Sequence, residues 1–146
     1  MTLKSRIIKN YISLTDEQKF DFILIGIICE KKDYRISMEL NKKLEINLRK
    51  EDEYTVFNSK RMEDKSFSFY EYTTEDDDRF NLISNKSQKG FLLPELNQID
   101  YLFVFRLTRI ALEENEIINA IKEIPIVLGA YKLEASQLKS GENLVF

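Results

Sequence analysis

A chain of 146 residues, 43% hydrophobic and 32% charged, holds enough apolar area for a substantial core, which excludes a disordered protein and predicts one domain over residues 1–146. The formal net charge of −3 offers no global attraction to phosphate, so RNA is left open as a partner but unsupported by charge. No histidine is present, which removes His-activated nucleophiles, His-ligated zinc and the commonest general base at neutral pH.

Lys9 to Leu14 reads as a strand, and Thr15-Asp16-Glu17-Gln18 has capping-box spacing with room only for a connector. Phe20 to Cys29, rich in Ile and Phe and bounded by charges, reads as a central strand buried on both faces. Gly26 inside it predicts a bulge or a close backbone approach. The apolar stretch Phe22 to Cys29 is far short of the roughly 18 to 20 residues of a spanning helix, so no membrane partner is expected. Cys29 is the single cysteine, and Met1 to Arg6 is followed by no apolar signal region. A reducing, cytoplasmic setting is therefore expected.

Asp33 to Leu44 has helical periodicity, with Tyr34, Ile36, Ser37, Met38, Leu40 and Leu44 on one broad face and Asp33 as N-cap. Lys32, Arg35, Glu39, Lys42 and Lys43 fall opposite. Asn41 lies in the apolar arc and needs hydrogen-bond partners if buried. Ile46 to Arg49 predicts a short strand, and Lys50 to Asp64 a polar stretch anchored by Tyr54, Val56 and Phe57. Phe67 to Tyr72 and Arg79 to Ser84 predict an antiparallel hairpin whose loop is Thr73 to Asp78.

Ile99, Tyr101, Phe103, Phe105 and Leu107 alternate with Asp100, Leu102, Val104 and Arg106, the clearest strand pattern in the chain. Ile110, Ile117, Ile118, Ile121 and Ile124 recur at helical spacing, and Pro125 ends a helix expected over Leu112 to Glu123. Ile126 to Ala135 is a final strand, followed by the turn signal Lys139-Ser140-Gly141 and the apolar end Leu144-Val145-Phe146. The fold class expected is α+β: a predominantly antiparallel sheet of about five to seven strands with two amphipathic helices packed on it.

Glu75-Asp76-Asp77-Asp78 invites a metal, but an EF-hand frame would put Phe80 at a ligand position and Asn81 where the loop needs glycine. A solvated hairpin tip is preferred and no metal is expected. Cys29 lacks a histidine to activate it, and its neighbours Ile27 and Ile28 predict an inert buried thiol. Lys89-Gly90-Phe91 matches the opening of an RNA-recognition signature, which Leu92, Leu93 and Pro94 then break. The four glycines, at positions 26, 90, 129 and 141, are too scattered for a phosphate loop, so no cofactor is expected.

Leu93-Pro94-Glu95-Leu96-Asn97-Gln98-Ile99-Asp100-Tyr101 resembles the defining motif of the IPExxxVDY family. Pro94, Glu95, Asp100 and Tyr101 are identical to it, and Leu93 and Ile99 stand for the family's Ile and Val. The resemblance extends through Leu24-Ile25-Gly26-Ile27, Asp33-Tyr34-Arg35, Leu40-Asn41-Lys42 and Leu82-Ile83-Ser84-Asn85-Lys86. It implies a small bacterial protein, carries no activity with it, and points loosely to genes neighbouring those for ribonuclease III and fatty-acid synthesis.

Physically, the motif reads as an extended Leu93 held by Pro94, a short turn from Glu95 to Gln98, and the launch of a strand at Ile99. That topological role is preferred over a contact site in which Glu95 and Asp100 are exposed acceptors beside the Tyr101 ring. Pro94, Glu95, Asp100 and Tyr101 are the candidate binding residues, and no catalytic residue is assigned. Missing histidine and cofactor motifs favour a non-catalytic protein-binding or adaptor domain. The alternatives are an RNA-associated accessory factor linked to ribonuclease III, using the lysine and arginine face of the first helix, and a carboxylate-dependent enzyme.

Overall fold

In a computed structural model the protein is described over residues 21–58, 61–106 and 114–144. The strand expected at Lys9 to Leu14 and the connector after it lie outside these residues, as do Leu107, Ile110, Leu112, Val145 and Phe146. The elements in order are β1 (Ile23–Ile28), α1 (Asp33–Leu44), β2 (Arg49–Lys50), β3 (Tyr54–Asn58), β4 (Glu63–Phe67), β5 (Phe69–Thr73), β6 (Arg79–Ser84), β7 (Lys86–Ser87), β8 (Gly90–Phe91), β9 (Tyr101–Arg106), α2 (Glu114–Lys122) and β10 (Gly129–Leu133). Six strands form one sheet in the order β10-β1-β9-β6-β5-β2, each antiparallel to its neighbour. With the two helices, this is the expected α+β class.

Both faces of the sheet are covered, which is why β1 and β9 read as continuous apolar runs. On one face, Ile36 and Leu40 of α1 and Ile117, Ile118 and Ile121 of α2 pack on Ile25, Ile27, Phe80, Tyr101, Phe103 and Phe105. The Phe103 ring lies 6.0 Å from Phe80 and 5.7 Å from Phe105, and each such ring stabilises the core by about 1.5 to 3 kcal/mol. On the other face, Leu24, Ile83, Leu102 and Val104 pack against Phe67, Leu92, Leu93, Ile99, Ala135 and Leu144. That second layer is built from the β3–β4 hairpin, the motif and short C-terminal turns, among them Ala135–Gln137 and Gly141–Leu144.

Gly26 sits in unbroken register with Leu102 on one side and Tyr131 on the other, so there is no bulge. Its missing Cβ is the feature used: an added one would lie 2.9 Å from Leu133 Cδ1 and 3.0 Å from Ile99 Cδ1. Ile99 itself corrects the alternation expected from Ile99 to Leu107. It precedes β9, its N–H bonds to Leu96 O at 3.0 Å, and it packs on the face opposite Tyr101, Phe103 and Phe105.

In α1 the N-cap position belongs to Lys32 and not Asp33, because the Lys32 carbonyl already accepts Ile36 N–H at 3.2 Å. Asp33 lies in the first turn, where its charge faces the positive end of the helix dipole. Its carboxylate accepts from Tyr34 N–H at 2.9 Å, the Tyr70 hydroxyl at 3.1 Å and Lys50 Nζ at 3.3 Å. The buried stripe of α1 is only Ile36, Ser37 and Leu40. Tyr34 and Met38, expected to face inward, are 53% and 52% exposed, since the sheet covers a narrower arc of the helix than the apolar pattern offers. Asn41 finds its partners in Leu48, accepting its N–H at 2.7 Å and donating to its carbonyl at 3.2 Å.

Those same bonds use the backbone of Leu48, so the strand expected at Ile46 to Arg49 starts only at Arg49. The polar stretch Lys50 to Asp64 contains β3, paired with a largely charged β4 that hydrophobic patterning does not reveal. Tyr54 stacks 5.8 Å from Phe69 and donates to the Asn143 carbonyl, whereas Phe57 is exposed. Phe67 ends β4 rather than starting the next strand; the expected run to Tyr72 is divided at Ser68. The β5–β6 hairpin is antiparallel as expected, but Thr73 pairs with Arg79 as the end of β5 rather than opening the loop; the turn is closed by Thr74, which bonds Asp78 through both its N–H and its hydroxyl. β10 stops at Leu133, and Ala135 lies in a 3-10 turn rather than in the strand.

Candidate functional site

The motif is held by a residue outside it. Asn85, the residue after β6, is fully buried, and its amide nitrogen donates to Leu96 O and Ile99 O, both at 2.9 Å. Its amide oxygen accepts Leu93 N–H at 2.7 Å. Its backbone accepts Leu92 N–H at 2.8 Å and donates to Asp100 O at 2.9 Å. One side chain thus pairs with backbone groups at the base of a turn whose outer residues, Pro94, Glu95, Asn97 and Gln98, are exposed. Pro94 opens that turn, Pro94–Leu96, from the first position, where its lost N–H has no consequence.

Asp100 closes the other end. Its Oδ2 accepts Cys29 N–H at 2.9 Å, its Oδ1 pairs with Lys86 Nζ at 2.6 Å, and its own N–H bonds Ile27 O at 2.9 Å. The carboxylate therefore ties the end of β1 to the start of β9 and to β7. Burial, countered only in part by a backbone hydrogen bond from Lys31, raises the Cys29 thiol above its ordinary value, in keeping with an unreactive core cysteine. The Tyr101 hydroxyl donates to Lys31 O at 2.6 Å.

Burial, then the Asp33 carboxylate, pushes the Tyr70 phenol up to about 12 and raises the Tyr101 phenol too. A tyrosine raised above its unfolded value adds stability that is complete below that value and lost as pH rises through the folded one. Urea midpoints are therefore expected to fall as pH climbs from the ordinary 10.0 toward about 12. The loss should be shallower in Tyr70→Phe; an unchanged alkaline slope would rule Tyr70 out as its source.

Two concavities flank the motif. A polar groove of about 910 Å³ runs past Lys32, Asp33, Ser68, Ser84, Lys86 and Tyr101. A smaller concavity of about 370 Å³ lies between the Glu95–Ile99 turn and β10, with Ile28, Leu96, Ile99 and Leu133 as apolar lining and Glu95, Asn97, Gln98 and Tyr131 around them. Tyr131 is 51% exposed and also borders a third hollow, of about 270 Å³, beside Leu128 and Gly129.

The four candidate residues are thus divided rather than gathered on one surface. Pro94 and Glu95 are exposed, Asp100 is inside the turn, and Tyr101 is a buried wall of the polar groove. Glu95 is fixed by Ser140, which donates through its N–H at 2.8 Å and through its hydroxyl. Partial burial raises this carboxyl, yet the Ser140 hydrogen bonds, with further backbone N–H groups at Glu95 and Lys139, together hold it below its ordinary value. Asn85, Tyr131 and Ser140 were not identified as site residues from sequence. Asn85 entered only within the stretch Leu82-Ile83-Ser84-Asn85-Lys86 of the family resemblance, and Ser140 only within the turn signal Lys139-Ser140-Gly141.

Among the described residues no group of three or more metal-type side chains could hold an ion, and no helix is long and apolar enough to cross a membrane. On the basic face of α1, Lys43 is paired with Glu123 at 2.9 Å. In comparisons with known proteins, no family model matches the chain and no curated protein matches it significantly.

Proposed function

We propose that the protein is a non-catalytic, cytoplasmic protein-binding domain of the IPExxxVDY type, docking its partner where the Glu95–Ile99 turn meets β10. The supporting observation is the concavity there: an apolar lining of Ile28, Leu96, Ile99 and Leu133, a polar rim, and a half-exposed aromatic, Tyr131. That is the anatomy of an interface centre, in which a desolvated apolar patch with an aromatic anchor carries most of the energy. The polar groups of Asn85, Asp100 and Tyr101 are engaged in holding the fold, which favours binding over catalysis.

The test is a photo-crosslinking residue placed at Gln98, compared with one at Asp76 on the acidic hairpin tip, in the protein's own cells. A discrete protein adduct is expected from position 98, absent from 76 and abolished by Tyr131→Ala. Equal adducts from both positions, or none, would defeat the docking reading. An adduct that ribonuclease destroys would favour the RNA-associated alternative instead.

A further inference from the structure

Resting on that docking reading, we propose that the concavity between the Glu95–Ile99 turn and β10 recognises an arginine side chain of the partner. Its lining has two parts, and arginine matches both. Ile28, Leu96, Ile99 and Leu133 offer apolar surface on which a three-carbon stem is desolvated. Glu95 is the one carboxylate or cation among the lining residues, so charge complementarity calls for a positive head group.

Glu95 is also prepared for that role. Each carboxylate oxygen takes one bond from Ser140, which fixes its orientation at the edge of the concavity. Its position lets it keep its charge near neutral pH, since the Ser140 bonds favour the ionised form. Among the described residues no lysine or arginine of the chain pairs with Glu95, although seven other carboxylates have such partners: Asp21, Asp33, Glu71, Asp100, Glu114, Glu123 and Glu134. Tyr131, an aromatic, and Asn97 and Gln98, with their amides, complete the lining. A planar guanidinium suits a fixed carboxylate and a ring face better than an ammonium, which is more strongly hydrated and cannot bond bidentately.

The experiment is an amide NMR titration of the full chain with acetyl-arginine methylamide, alongside its citrulline, lysine and norleucine counterparts. The arginine compound is expected to bind with a dissociation constant of about 1 mM, as befits so small a ligand, moving the signals of Gln98 and Tyr131. Citrulline, which keeps the shape without the charge, should bind roughly tenfold more weakly. Glu95→Gln should weaken arginine binding by a similar factor and leave norleucine unaffected, which a merely structural role for Glu95 would not do. Lysine binding as tightly as arginine, or norleucine binding as tightly in the unaltered protein, would overturn the arginine assignment while leaving the docking surface intact. No binding by any compound overturns the arginine assignment, and an accompanying lack of adduct from position 98 would remove the docking reading as well.

Discussion

Replacing Asn85 with alanine is expected to destabilise the fold by about 3 to 5 kcal/mol, because each buried polar group left unpaired costs about 1 to 3 kcal/mol. Two groups lose their partner outright, Leu93 N–H and Ile99 O, while Leu96 O keeps only the Ile99 N–H. For a chain of this size the thermal midpoint should drop by roughly 10 to 20 °C. Asn85→Asp separates the contributions, since it keeps an acceptor for Leu93 N–H but turns a carboxylate toward two carbonyls. It should be no more stable than the alanine variant at neutral pH, and should recover in part as acid protonates the new carboxyl into a donor. Urea unfolding of both variants across pH decides the matter. A cost below about 1 kcal/mol for Asn85→Ala would mean that the turn has other ways to satisfy its backbone.

The second large effect is expected at Asp100. Asp100→Ala leaves the Cys29 N–H without its acceptor and releases Lys86, with an expected loss of about 2 to 3 kcal/mol. Asp100→Asn should cost less, about 1 to 2 kcal/mol, because an amide oxygen can still accept from Cys29 while its charge is gone. Lys86 is half exposed, with 49% of its side chain in solvent, so Lys86→Met should cost under about 1 kcal/mol. That ordering identifies the backbone hydrogen bond, rather than the ion pair, as the dominant contribution, and a double-mutant cycle of Asp100 with Lys86 measures the remainder. Glu95→Gln keeps an acceptor for one Ser140 donor but loses it for the other, so it should cost about 1 kcal/mol. An Asp100→Asn variant that unfolds like the unaltered protein yet loses the adduct from position 98 would make Asp100 a contact residue instead of an anchor.

Several elements could be read from local pattern alone. β1, α1, the β5–β6 hairpin, β9 and α2 each carry a strong apolar period or a flanking turn signal, and each is found with shifted ends. The β3–β4 hairpin escaped because Glu63, Asp64 and Lys65 mask the period that Tyr54, Val56 and Phe67 make across two strands. Asp33 resembled a cap because it precedes the apolar stripe; the helix begins one residue earlier because the backbone bonds to Lys32 decide it. In the motif, Pro94 and the turn after it were legible as local geometry, whereas the separation of Glu95 and Tyr101 onto different concavities was not.

By itself, then, the sequence determines what depends on near neighbours: the α+β class, the two amphipathic helices among the described residues, an antiparallel sheet, and a motif shaped by a proline. Its local periodicities record which side of an element is apolar, and that is enough to establish class and composition of layers. The tertiary structure alone decides which groups meet across long separations. Asp100 reaches Cys29 over 71 positions, Glu95 reaches Ser140 over 45, and Tyr131 comes to lie beside the Glu95–Ile99 turn through the pairing of β10 with β1. Those encounters follow from sheet order and register, which arise from the packing of the whole core and leave no periodic mark in the chain.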